Sequence, residues 1–273
     1  MMPNRRVSGI SRRDALVLGG GYLATTFAGV RSASASDIIK LSDADDVFAR
    51  EQISGTFVTY DAAADRFVVL NAERAATRFV PASTFKIPNS LIALEAGAVK
   101  DADEMFRYDG KPRAVAAWQK DMTLREAVTA SNVPVFQEIA RRVGLDAYRN
   151  WLAKLDYGNR EVGDNVERFW LDGPLMISPV EQARFLARLA EQRLPMGVRS
   201  QTIVRDMVRI EEKNGRVLFA KTGWSGKLGW WAGWVEQGAR KTAFALNMDM
   251  SRIEEAPKRI SFGRELLSHV GVY

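Results

Sequence analysis

Pro81-Ala82-Ser83-Thr84-Phe85-Lys86 is the stretch on which the reading of this chain turns. Ser83 and Lys86 are three residues apart, and on a helical turn that spacing puts both side chains on one face, within contact distance. Downstream, from Phe85 to Ala96, the pattern is helical, and Leu91, Ile92, Leu94 and Ala96 have little polar interruption. A helix apolar nearly all round is a buried one, and Gly97 supplies its stop. Pro88 disfavours helical geometry at Ile87, which predicts a tight first turn ahead of the main helix. Upstream, Ile53 to Tyr60 reads as a strand, Asp61 to Asp65 as a polar turn, and Arg66 to Leu70 as the return strand. The hexapeptide therefore marks where a strand pair gives way to a buried helix.

Outward from there, residues 101–200 read mostly as helices and loops. Helical pieces are expected at Leu124 to Ala130 and Phe136 to Val143, around a break at Pro134, then at Leu145 to Leu155 and Pro179 to Glu191. Strands return late, at Val217 to Lys221, Trp230 to Val235 and Thr242 to Met248, and a last helix runs from Pro257 to Val270. Strands at both ends with helices between predict an α+β fold, in which a sheet unites the N- and C-terminal segments and a helical region is inserted. There is no repeat and no low-complexity linker. One catalytic domain over 36–273, with two subregions sharing a cleft, fits this better than independent domains.

Composition narrows the chemistry. The chain has 273 residues, 47% hydrophobic and 26% charged, which is globular. Its formal charge is +6, but residues 1–35 carry five arginines against Asp14, a net +4, leaving +2 on the remainder. A nearly balanced body has no phosphate-binding stripe, so no nucleic-acid partner is expected. Cysteine is absent, which excludes disulfides and thiolate metal sites. The single histidine, His269, lies four residues from the end, so poly-histidine zinc sites are impossible and a Ser-His-Asp triad would depend on that one residue. Any general base is expected to be Lys, Glu, Asp or Tyr, and no metal is expected.

The first 35 residues read as an address. Ser11-Arg12-Arg13-Asp14-Ala15-Leu16 resembles a bacterial twin-arginine export signal, Ala15 to Val30 run without a charge, and Ala33-Ser34-Ala35 follows as a small-residue cleavage site. The alternative is an uncleaved membrane anchor, although the apolar run is short and carries Gly19-Gly20-Gly21. The expectation is a periplasmic mature chain beginning near Ser36, without stable membrane association.

A serine hydroxyl is a poor nucleophile unless a base takes its proton, and a protonated lysine cannot do so. Burial can lower a lysine pKa by roughly 3–5 units, so a buried helix gives Lys86 a physical reason to be neutral. A helix N-terminus would also favour negative charge developing near Ser83. Alone, S-x-x-K is a weak motif. Its company is Lys221-Thr222-Gly223 at the end of a strand and Ser131-Asn132-Val133 at the helix break. S-x-x-K, S-D-N and K-T-G occur together in class A β-lactamases and penicillin-binding proteins. Gly223 would let a substrate approach the strand backbone closely. Lys221 and Thr222 offer a charge and a hydroxyl to a substrate carboxylate.

The S-N-V form makes the resemblance specific. Ser83-Thr84-Phe85-Lys86, Ser131-Asn132-Val133, Tyr157-Gly158-Asn159 and Lys221-Thr222-Gly223 stand in the order of the S-T-F-K, S-x-V, Y-G-N and K-T-G motifs of class D β-lactamases, the oxacillinase family. Arg78-Phe79-Val80-Pro81, Phe169-Trp170-Leu171 and Trp230-Trp231-Ala232-Gly233-Trp234-Val235-Glu236 are also similar to that family, and the likeness spans nearly all of residues 50–260. It implies a β-lactamase and penicillin-binding transpeptidase-like fold, and hydrolysis of small-molecule β-lactams.

The same resemblance implies roles. Ser83 is the acylated nucleophile. Lys86 takes up carbon dioxide, in equilibrium with bicarbonate, as N6-carboxylysine, and serves as general base in both halves of the reaction. Ser131 relays a proton toward the ring nitrogen, Val133 keeps the carbamate dry, Trp170 donates its indole N–H to it, and Leu171 walls the path of the water. The backbone N–H groups of Ser83 and Trp224 form an oxyanion hole, and Arg259 binds the substrate carboxylate with Lys221, Thr222 and Gly223. Tyr157 and Asn159 read as a structural loop. Competing readings are a penicillin-binding sensor or transpeptidase that acylates without efficient turnover, and a non-enzymatic module that retains the fold. Oligomeric state is not legible.

Overall fold

The computed structural model describes residues 38–40 and 45–273. The N-terminal part supplies β1 (Ile38–Lys40), α1 (Asp45–Arg50), β2 (Gly55–Asp61), β3 (Arg66–Leu70) and α2 (Ala72–Ala76), then a 3-10 turn, Ala82–Phe85, that runs into α3 (Lys86–Glu95). The middle holds β4 (Met105–Phe106), β5 (Met122–Thr123), α4 (Leu124–Thr129), α5 (Val133–Val143), α6 (Leu145–Leu155), α7 (Pro179–Ala190) and α8 (Val198–Met207). β6 (Arg209–Lys213), β7 (Arg216–Trp224), β8 (Leu228–Gln237), β9 (Arg240–Asp249) and α9 (Ala256–His269) complete it. The export segment expected at 1–35 lies outside the described residues.

Seven strands form one sheet in the order β1-β3-β2-β9-β8-β7-β6. β2 pairs with β9 in antiparallel register, Val58 opposite Ala245, so the N- and C-terminal segments meet in the middle of the sheet as expected. The pairings are antiparallel except one: β1 lies parallel to β3. Both faces of the sheet are covered, which is why β8 reads as an unbroken apolar run. Successive side chains on a strand alternate. Trp230, Ala232 and Trp234 therefore join the core shared with α3 to α7, while Trp231 and Val235 join a second core with Phe262, Leu266 and Leu267 of α9 and Val47 and Phe48 of α1. Each buried Val, Leu or Phe side chain among them contributes roughly 1.5–3 kcal/mol when removed from water.

Three local expectations are corrected. The break does not fall at Pro134; α4 stops at Thr129, and α5 starts at Val133 with Pro134 in its first turn. There the missing N–H has no partner to lose, and Asn132 caps the helix by accepting from Val135 N at 3.1 Å. Pro88 likewise sits in the first turn of α3, and Ile87 is helical. The expected tight turn is present, as the 3-10 turn Ala82–Phe85. Finally, α8 and β6 were not foreseen. β6 reads Arg-Ile-Glu-Glu-Lys, an edge strand exposed along most of its length, so it carries no apolar alternation.

Candidate active site

Ser83 sits in the 3-10 turn that leads into α3, and Lys86 is the first residue of that helix. Lys86 Nζ donates to Ser83 Oγ at 3.0 Å. Lys86 is only 1% exposed, whereas Ser83 is half-buried, so the hydroxyl faces outward from an amine that solvent barely reaches. Burial holds the Lys86 pKa well below the ordinary lysine value, and the positive charge of Lys221 adds to this. The ring centroid of Phe136 lies 5.0 Å from Nζ.

The turn is tightly moored. Ala82 has φ 48°, in the left-handed region, and its N–H donates to Trp170 O at 2.9 Å. A non-glycine residue held there costs on the order of 1–3 kcal/mol and persists only where its surroundings over-determine it. Those surroundings are aromatic. Phe85 is fully buried, with Tyr148, Tyr157, Phe169 and Trp170 around it at centroid distances of 6.1, 5.8, 5.2 and 5.6 Å. Nothing in the sequence marks Phe85, between Thr84 and Lys86, as the centre of this cluster, because a lone phenylalanine carries no signal of what gathers round it.

A second pair lies alongside. Lys221 on β7 donates to Ser131 Oγ at 3.1 Å and to Thr222 O at 3.1 Å. Ser131, in the α4–α5 connection, has φ 53°. Burial, with the nearby charge of Arg259, brings the Lys221 pKa down to about 7. Trp118 was not singled out from the sequence; its indole N–H donates to Ala130 O at 2.9 Å and so holds the approach to Ser131.

Gly223 is closely packed. A Cβ there would meet Pro81 O at 3.1 Å, Thr84 Cγ2 at 3.2 Å and Trp230 Cβ at 3.2 Å. What this glycine admits is the serine-bearing turn itself, packed against β7. Arg259 is buried, not solvated: its Nη1 donates to Gly223 O and its Nε to Ala256 O, and burial lowers its pKa to about 10. In a planar trans peptide the C=O and the following N–H point opposite ways. Arg259 thereby directs the Trp224 N–H away from itself. The indole of Trp224 is part-exposed and donates to Met250 O at 3.2 Å.

Trp170 is fully buried, and its indole N–H has no hydrogen-bond partner. Leu171 and Val133 are half-buried beside the site segments. Tyr157 is fully buried and donates to Gln182 Oε1 at 3.1 Å. Asn159 accepts from Met176 N at 2.9 Å and donates to Pro174 O at 2.8 Å, so these two residues tie down the loop that carries Trp170. His269 is exposed at the end of α9, with Nδ1 2.8 Å from Glu265 O. Among the described residues no group of three or more His, Cys, Asp or Glu is placed to hold a metal ion.

The comparisons with known proteins agree with this geometry. The family model "penicillin binding protein transpeptidase domain" matches residues 49–265. β-Lactamase OXA-5 of Pseudomonas aeruginosa is 40% identical over 82% of this chain and 87% of its own. β-Lactamase OXA-48 of Klebsiella pneumoniae is 41% identical over 81% and 84%. The crystal structure of FUS-1 (OXA-85), a class D β-lactamase from Fusobacterium nucleatum subsp. polymorphum, matches with a TM-score of 0.83 at 39% identity, covering 85% of this chain and 99% of that one. A class D β-lactamase from Nostoc matches with a TM-score of 0.81 at 35% identity, over 84% and 99%. The chain belongs to the penicillin-binding-protein transpeptidase-domain family and, within it, to the class D β-lactamases.

Proposed function

We propose that this β-lactamase opens its substrate through an acyl-serine ester on Ser83, with Lys86 as the base for both steps. The observation that carries this reading is the contact between Lys86 Nζ and Ser83 Oγ at 3.0 Å, made by an amine whose pKa burial holds down. Ser83 Oγ attacks the β-lactam carbonyl and its proton passes to the base on Lys86. The carbonyl oxygen, now negative, is received by the N–H groups of Ser83 and Trp224. The carbon–nitrogen bond of the ring then breaks, and the nitrogen takes a proton through Ser131, which is replenished from Lys221 at 3.1 Å. The base then returns the serine proton to Lys221 by way of solvent, and in the second half the same base removes a proton from water. The water attacks the ester carbonyl, the ester bond breaks, and Ser83 regains its proton. Lys221, Thr222 and Arg259 provide the positive, hydrogen-bonding end of the site for the substrate carboxylate.

The residues fit a carbamate on Lys86. The amine is buried and its pKa is depressed, which favours the neutral form that reacts with carbon dioxide. Trp170 offers a buried N–H without a partner, and an indole can donate but never accept. A bound carbamate would supply a carboxylate-like oxygen as the base beside Ser83. Its negative charge would be costly in this pocket without such a donor. Val133 and Leu171 limit the entry of solvent.

Mass spectrometry during slow turnover of a penicillin is expected to find one acyl adduct, on Ser83, that decays to free enzyme and hydrolysed product. Hydrolysis by Ser83→Ala at the wild-type rate would sink the mechanism. An adduct that never decays would identify a protein that acylates without turnover.

A further inference from the structure

We propose that Trp230 is a positioning residue of the oxyanion hole, setting the separation of the Ser83 and Trp224 amides through the hydrogen bond from its indole to Val80 O. This rests on the acyl-serine reading above. The two amides belong to different parts of the fold: Ser83 to the turn before α3, and Trp224 to the end of β7. An oxyanion hole works only when both donors lie about 2.7–3.1 Å from the developing oxyanion, so something must fix one segment against the other.

Trp230 reaches both. On β8 it is the register partner of Gly223, the residue before Trp224, and its Cβ would stand 3.2 Å from a Cβ at Gly223. Its Nε1 donates to Val80 O at 3.0 Å, and its ring meets Phe79 edge-on at 6.4 Å. Between the Val80 carbonyl and the Ser83 amide lie only Pro81 and Ala82, and neither is free. The pyrrolidine ring fixes φ at Pro81, whose carbonyl accepts from Thr84 N at 3.2 Å and Thr84 Oγ1 at 2.7 Å. Ala82 is held at φ 48° by its bond to Trp170 O. A pull on Val80 O is therefore transmitted to the Ser83 N–H. Gly223 lets the turn come close to β7, and the Trp230 indole supplies the polar tether across that contact.

A merely structural role would lower stability and leave the chemistry in proportion to the folded fraction. A positioning role has another signature. Both acylation and deacylation pass through a tetrahedral oxyanion, so both slow together, while events on Lys86 are untouched. The test replaces Trp230 with benzothienylalanine by site-specific incorporation, which keeps the ring shape and exchanges the N–H for sulfur. Trp230→Phe serves as a second variant that keeps a ring in the slot. The expected result is a loss in kcat on the order of 10-fold, below the ~10²–10³ that removal of a whole donor costs. KM should change little. Affinity for phenylboronic acid, whose tetrahedral adduct on a serine places an oxygen in the hole, should fall by a similar factor. Carbamate occupancy by ¹³C NMR should be unchanged, and bicarbonate should restore nothing.

The control is the same replacement at Trp234. It is equally buried on β8, and its indole donates to Glu236 Oε1 at 3.0 Å, away from Gly223. That protein should keep wild-type kcat and boronate affinity. Unchanged kcat and boronate affinity in the Trp230 variants would overturn the proposal, and so would an equal loss in the Trp234 control. Wild-type enzyme that forms no Ser83 adduct would refute the acyl-serine reading instead, so the two failures are distinguishable.

Discussion

At the scale of single residues, the site consists of two half-buried serines, each in contact with a lysine whose pKa burial lowers. Trp170→Phe tests what Lys86 requires. The substitution keeps a buried ring and removes a buried donor that has no partner. The ¹³C carbamate signal after labelling with ¹³C-bicarbonate is expected to fall, deacylation should slow more than acylation, and added bicarbonate should restore part of the activity. Kinetics indifferent to bicarbonate in both proteins, with no carbamate signal in either, would leave Lys86 to act as a plain amine. Lys221 has a consequence for stability. Its pKa falls from 10.5 to about 7 on folding, so between those values the unfolded chain holds a proton that the native state has released. Stability therefore rises with pH across that window. Lys86, whose pKa burial also lowers, acts with the same sign. Above about 10, Tyr148 and Tyr157, whose pKa values burial raises, reverse the slope. Urea unfolding from pH 6 to 10 should show a shallower rise in Lys221→Met than in wild type; parallel curves would contradict the shift.

At the scale of elements, the loop carrying Trp170 has few regular hydrogen bonds and depends on Tyr157-Gly158-Asn159. Gly158 has φ +54°, and a Cβ there would stand 2.1 Å from Met176 O, so no other residue fits without moving backbone. Asn159 bonds Met176 from both backbone and side chain. The motif is thus a clamp on the loop that carries Trp170. Asn159→Ala should cost about 1–3 kcal/mol for the side-chain bonds lost, seen as a lower urea midpoint with new proteolytic cleavage between residues 160 and 176. An unaltered midpoint and cleavage pattern would show that the loop is held otherwise.

At the scale of the whole molecule, the two ends of the described residues are joined. β2 pairs with β9. Arg50 contacts Glu265 at 3.0 Å and Lys258 contacts Glu51 at 3.0 Å, linking the α1 region to α9. The first described residues, Ile38–Lys40, already pair in the sheet, so a cleavage near Ser36 would leave that strand intact. We propose that residues 1–35 direct export through the twin-arginine route and are then removed. Replacing Arg12 and Arg13 with lysine is expected to retain the precursor in the cytoplasm, with the periplasmic fraction read by immunoblot and N-terminal sequencing. Normal export of the double variant would refute the route.

The order of strands and helices was legible in the sequence because it is written in local period and composition. The α6 boundaries at Leu145 and Leu155, the β8 core and the Pro179 start of α7 all follow from side-chain spacing. The four motifs were legible because serine and lysine at fixed spacing is local information. What sequence could not supply was the meaning of residues whose partners are remote. Gly223 opens space for a turn some 140 residues earlier, Phe85 is surrounded by rings from two other segments, and Arg259 faces inward to a strand carbonyl. β6 escaped because an exposed edge strand of charged residues carries no apolar rhythm. Short-range periodicity encodes which face of an element is apolar. Which distant element covers that face, and so which amine has its pKa lowered by burial, is decided only when the chain closes on itself.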